Sequence, residues 1–330
     1  MSIAFEIPAR FATSEFYRIG TTMRSHATGQ IVAHLQETTG LTRMAGLGFD
    51  PTSMVAGGIQ IYQNEQIKVG LALVQNLQIA NLALTGVGIG VSVAGFAILA
   101  RKLDRIERSL AEITAAIQRL AKKVERIEAR LIRVELAELR AELRRIDEAW
   151  MRSDAQAQWR IAADRLLTLE QAFGDHVRAA DSGAGDASLR ALMVDAFTLA
   201  GSSRISALLA ANEADAAGFG ARGFARSLAG FTGNIGAPQI LREMQMAETA
   251  PADPAARLAA IARLRPQAEA GATLVRERED SAATAPITIA ALTRAGVSGR
   301  EWLERARSEA EAPLICLPVD DEGAADSVAA

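Results

Sequence analysis

The side chains best suited to catalysis or metal binding are three histidines and one cysteine, and their spacing argues against both roles. His26 and His34 stand eight residues apart, roughly on one face of a helix, with Glu37 nearby. A two-histidine site on a helix calls for i, i+4 spacing, which brings both rings to one ion. His176 follows Asp175 and reads as a cation set against the dipole of a helix end. Cys316 lies in the apolar tetrapeptide Leu314-Ile315-Cys316-Leu317, with no nearby histidine to activate it. A single cysteine excludes an intramolecular disulfide and any cysteine-based metal site. There is no G-x-S-x-G elbow and no P-loop. The glycines of Gly86-Val87-Gly88-Ile89-Gly90-Val91 miss the dinucleotide fingerprint, because the third glycine it needs would fall at 91 or 93, where valines stand. No catalytic, cofactor-binding or metal-binding residue is assigned, and the chain reads as a non-enzyme.

The remaining chemistry is apolar. Val69–Ala100 is a run of 32 residues without a formal charge. Its core, Leu82–Ala100, has the length of a bilayer-crossing helix, which needs ~20 apolar residues. Gly86, Gly88, Gly90, Ala94 and Gly95 are small enough to let membrane helices approach closely, and Gly86, Gly90 and Ala94 recur at four-residue spacing on one helical face. Gln75, Asn76, Gln78 and Asn81 lie in the N-terminal half of the run. Their amides are costly against lipid and better placed facing other helices or a watery lumen.

At Arg101 the pattern changes abruptly. Leu103, Ile106, Leu110, Ile113, Ile117, Leu120, Val124, Ile127, Leu131 and Val134 are spaced alternately three and four residues apart, an unbroken a/d seam with charged residues filling the other faces. The phase then slips, and Leu136, Leu139, Leu143 and Ile146 resume the same spacing. Such a slip changes the supercoil locally or marks a change of partner. An antiparallel bundle inside one chain and an intermolecular coiled coil both satisfy this pattern.

Around these elements the composition is that of a helical protein. Of 330 residues, 49% are hydrophobic but only 5% aromatic, mostly Ala, Leu, Ile and Val. The formal charge of −3 gives no global basic field, and the basic residues of 101–145 alternate with acidic ones, so nucleic acid is not expected as a partner. The opening residues, MSIAFEIPARF, do not have the layout of a Sec-type signal peptide.

The spacing of Phe16, Ile19, Met23, Ile31, Val32 and Leu35 predicts a helical N-terminal segment within 1–58. The apolar element occupies 59–100 and the stalk 101–149. A helical body over 150–312 contains helices at about 150–180, Ser188–Asn212, Pro238–Met246 and 255–279, with Gly218–Gly236 only weakly helical. An acidic, Ala-rich tail follows over 313–330 and is expected to be mobile. The fold class is therefore all-α: a coiled-coil or bundle stalk, an apolar helix or hairpin, and a helical C-terminal body. In architecture, the region 59–150 is similar to α-helical pore-forming toxins and to bacterial effectors that damage membranes, a similarity of pattern and not of a specific motif. It implies a membrane-active protein that oligomerises through its coiled coil, with a lipid bilayer and further copies, or another coiled-coil protein, as partners. Such a chain would be membrane-associated, or cytoplasmic until inserted. The alternative is a soluble coiled-coil scaffold whose apolar helix is the core of a bundle.

Overall fold

In a computed structural model, residues 15–38, 123–181, 187–247, 253–309 and 314–319 are described. They form seven helices and one four-stranded antiparallel sheet. Strands β1 (Phe16–Ile19), β2 (Thr22–Ser25) and β3 (Ile31–Glu37) come first, and helix α1 (Lys123–Ala149) follows. Next are α2 (Ala155–Asp181), α3 (Ala187–Ala210), α4 (Ala214–Thr232), α5 (Ala237–Ala247), α6 (Pro254–Arg294) and α7 (Gly299–Ser308). Strand β4 (Leu314–Pro318) closes the chain's described part.

The fold is mostly helical, as the composition predicts, but the N-terminal segment is a sheet and not a helix. Its apolar residues do recur at three- and four-residue spacing, yet Gly20 and Gly29 both adopt positive φ and divide the segment into strands of four, four and seven residues. Gly20 (φ 55°) opens the two-residue turn between Ile19 and Thr22, where a hairpin favours glycine. A Cβ there would also come within 2.4 Å of the Asp280 carbonyl oxygen on α6.

The start of the segment read as a tail is likewise a strand. β4 pairs antiparallel with β3, with Leu35 opposite Cys316 and Glu37 opposite Leu314. Residues Leu314 through Leu317 are all buried, so both faces of β4 are covered. A strand covered on both faces reads as a continuous apolar run without alternation, which conceals it in the sequence.

In the helical body α3 is central. It packs extensively on α2 and also contacts α4, α1 and α7, while α6 packs on α4 and α5. Arg190–Ala210 is long and apolar enough to span a membrane, yet 83% of that stretch is buried inside the body. A helix that is apolar all round is what the centre of a bundle requires, so α3 is a core helix. Gly201 admits α4: a Cβ there would lie 2.4 Å from the Phe224 ring, which stacks against Phe197 at 5.4 Å.

The Gly-rich stretch expected to be weakly helical forms α4. Phe224, Leu228 and Phe231 are buried at helical spacing and offset the low propensity of its glycines. α6 begins at Pro254, capped by Asp253, whose carboxylate accepts from the amides of Ala255 and Ala256. It then continues through Pro266 and Pro286 to Arg294, well beyond the helix expected over 255–279.

Candidate functional site

The last part of the heptad seam lies on α1, and there the helix has two faces. Ile132, Leu136, Leu139, Leu143 and Ile146 are buried, and α1 packs on α2. Leu131 and Val134 are 51% and 50% exposed. At 100° per residue they lie roughly 130° around the helix from the buried stripe. The phase slip read in the sequence therefore coincides with a change in burial: Leu136, Leu139, Leu143 and Ile146 pack into the body, and the last two residues of the unbroken seam are half exposed. A coiled-coil stalk is not seen among the described residues. Leu103, Ile106, Leu110, Ile113, Ile117 and Leu120 lie outside them, and Val124 and Ile127 lie on the first turns of α1. The membrane-facing assignments (Gly86, Gly88, Gly90, Ala94 and Gly95) and the amides of Gln75, Asn76, Gln78 and Asn81 also lie outside the described residues.

Polar contacts fix the orientation of α1. His176 on α2 donates to Glu135, with Nε2 2.8 Å from Oε2, so it joins two helices instead of serving the dipole of its own helix end. Arg307 on α7 pairs with Asp147 at 3.1 Å. Trp159 donates its indole N–H to the Ile146 carbonyl at 3.2 Å and is covered by the Arg300 guanidinium, 4.6 Å from the ring centre. Beyond Val134 the outward face becomes charged. An open cleft of about 370 Å³ lies there, with Arg140, Arg144, Arg145, Arg152 and Glu148 in its lining. Arg145 is held by Glu142 at 2.9 Å and Arg152 by Asp154 at 2.8 Å.

The other concentration of polar groups joins the sheet to α6. The Thr21 hydroxyl lies 3.1 Å from that of Thr284 and 2.8 Å from that of Thr288, and the Thr21 amide donates to Thr284. His34 Nδ1 lies 3.0 Å from the Thr288 hydroxyl. Gln36 accepts from the Trp302 indole at 3.0 Å. Burial, with Arg294 adding repulsion, pushes the His34 pKa down to about 4. Buried Arg18 pairs with Glu37 at 3.3 Å and donates to the Gly20 carbonyl at 2.6 Å. Burial lowers the Arg18 pKa, and Glu37 opposes the shift. Burial raises the carboxyl pKa of Glu277, which Arg18 opposes, and also that of Asp280.

The threonines, His34, Gln36 and the Arg18–Glu37 pair are bonded to neighbouring elements, which is the arrangement of a structural joint, while both Glu277 carboxylate oxygens and Arg18 Nη1 are buried without a hydrogen-bond partner. His26 lies in the turn after β2 and His34 on β3, and the two do not converge: His26 packs against Tyr17 with ring centres 4.6 Å apart, while His34 points to α6. Among the described residues no group of three or more His, Cys, Asp or Glu side chains is placed to hold a metal ion. Cys316 is buried on β4. Sequence reading missed the joint because Thr21 is more than 260 residues from Thr284 and Thr288 along the chain, and the three follow no local motif. Compared with known protein families, curated proteins and solved structures, the chain matches none.

Proposed function

We propose that this chain is a membrane-active helical protein, in which a folded body carries a coiled-coil stalk and an apolar segment that enters a bilayer, and that it works as an oligomer that permeabilises the membrane. The observation that carries this reading is the order of elements. β1–β3 and the described elements from α1 onward pack together, and residues 39–122, with the uncharged run and most of the seam, lie in the chain between β3 and α1. Where the chain returns, Leu131 and Val134 continue the seam on a face the body leaves exposed. A body that leaves an a/d ridge uncovered fits a stalk better than it fits a closed bundle.

One observation favours the alternative of a soluble scaffold. This chain does build an apolar, bilayer-length helix for its own core, namely Arg190–Ala210. Membrane pelleting separates the two. The full chain is expected to stay in the membrane pellet after alkaline carbonate washing, and a chain lacking 69–100 is not. Val91→Arg should weaken retention, because translocon scales put a central Arg at about 2.5–3.5 kcal/mol. Release of a small dye and of a larger dextran from liposomes then tests permeabilisation. Complete release of the intact chain by carbonate would leave the scaffold as the better account.

A further inference from the structure

The exposed ridge at the start of α1 needs an occupant, and we infer that it is further copies of this chain, running parallel and in register, three or four to an assembly. The inference rests on the stalk of the proposed function and adds its orientation, register and number. With Leu103 at position a, the a residues are Leu103, Leu110, Ile117, Val124 and Leu131, and the d residues are Ile106, Ile113, Leu120, Ile127 and Val134. On this phase the residues flanking the ridge, Arg130 and Glu135, are a g position and the following e position.

Charge decides the orientation. The g positions are Lys102, Ser109, Ala116, Lys123 and Arg130, and the e positions are Glu107, Thr114, Ala121, Glu128 and Glu135. Every charged g residue is basic and every charged e residue is acidic. Parallel helices in register set each g residue against the next e residue of the neighbour. That gives Lys102 with Glu107, Lys123 with Glu128 and Arg130 with Glu135, with neutral residues at the two pairs between. Antiparallel helices set g against g and e against e, so in any antiparallel register the charged residues meet only like charges or neutral residues. On the described helix Arg130 is exposed, and the Glu135 carboxylate is already positioned by His176.

The shape of the seam residues decides the number. Leucine occupies three of five a positions, and β-branched residues occupy four of five d positions. Parallel dimers favour the reverse, β-branched at a and Leu at d, whereas Leu at a with Ile at d favours three or four strands. A parallel bundle of this kind would carry all of its apolar segments at one end.

The test uses the full chain in mild detergent, without a membrane. Sedimentation is expected to give three or four times the chain mass of 35.0 kDa. Val134→Cys should form a disulfide between identical positions of two copies under mild oxidation, because parallel in-register helices bring those positions together. Phe219→Cys, on an exposed site of α4, should not. Leu131→Glu with Val134→Glu should reduce the mass three- to fourfold, to that of one chain, with the helical circular dichroism of the body retained. Lys123→Glu should weaken assembly, and the swap Lys123→Glu with Glu128→Lys should restore it. A single-chain or two-chain mass for the unaltered protein overturns the inference, as does a Val134→Cys protein that stays reduced. Liposome leakage is scored separately: an intact assembly that does not leak counts only against the membrane function, and a leaking monomer counts only against this inference.

Discussion

His34 is buried, its Nδ1 3.0 Å from the Thr288 hydroxyl, and its pKa of about 4 makes it a built-in source of acid sensitivity. In the unfolded chain the ring takes up a proton near pH 6.5, and in the fold it does so only near pH 4. The stability it contributes is therefore complete above pH 6.5 and is lost as pH falls from 6.5 towards 4. Linkage puts this loss at about 2 kcal/mol between pH 7 and pH 5. The raised carboxyl pKa values of Glu277 and Asp280 act in the opposite direction, since acid relieves the penalty of burying their charge. Comparison with His34→Asn isolates the histidine, because an amide keeps a partner for Thr288 and does not titrate in this range. Urea unfolding at pH 7 and pH 5 should show the variant losing about 2 kcal/mol less than the unaltered chain; equal losses would remove His34 from the account. The buried Arg18–Glu37 pair is expected to be non-additive. Arg18→Met strands a buried carboxylate and should cost about 3–5 kcal/mol, and Arg18→Met with Glu37→Met should recover most of it. Urea midpoints of the two variants measure the difference.

At the scale of one helix, α1 combines two environments within sixteen residues, and substitutions along it should divide accordingly. Leu139 is fully buried and Leu131 is half exposed. Leu139→Ala should destabilise the body by about 2–5 kcal/mol through lost burial and a cavity. Leu131→Ala should change it by no more than about 0.5 kcal/mol. Trp150, Trp159 and Trp302, the only tryptophans in the chain, all lie in the body and report its unfolding by fluorescence. Measurement at low protein concentration keeps assembly from contributing. Equal effects at the two positions would mean that the slip does not mark a boundary. The slip itself was legible in the sequence, because changing phase by two residues turns the apolar stripe to another side of the helix. Which side meets the body was not legible, since heptad spacing is the same for both partners. The helical character of α4 was hidden for a related reason: local propensity counts its glycines against it, and the burial of Phe224, Leu228 and Phe231 that outweighs them is tertiary.

At the scale of the whole molecule, β3 and β4 join residues near the two ends of the described chain into one sheet. Removing residues from 310 onward would leave the buried strand β3 with an unpaired edge and expose Leu35 and its neighbours. Such a truncation should make residues 15–38 the first to exchange amide hydrogens and should promote aggregation. Hydrogen exchange with peptide-level readout checks this, and unchanged protection over 31–37 would show that β4 is dispensable.

What the sequence determined by itself was set by interactions between near neighbours. Helical spacing of Ala and Leu, the phase slip before Leu136 and the uncharged run at Val69–Ala100 are all properties of short windows. Most of the helical body follows from them. The tertiary structure decided whatever depends on residues distant in sequence. The N-terminal segment became strands because β3 could pair with a strand some 280 residues away, and its short runs of apolar residues fit a helical stripe equally well until that partner is present. Arg190–Ala210 became a core helix because α2 and α4 cover it, and hydropathy measures only how apolar a helix is, not what surrounds it.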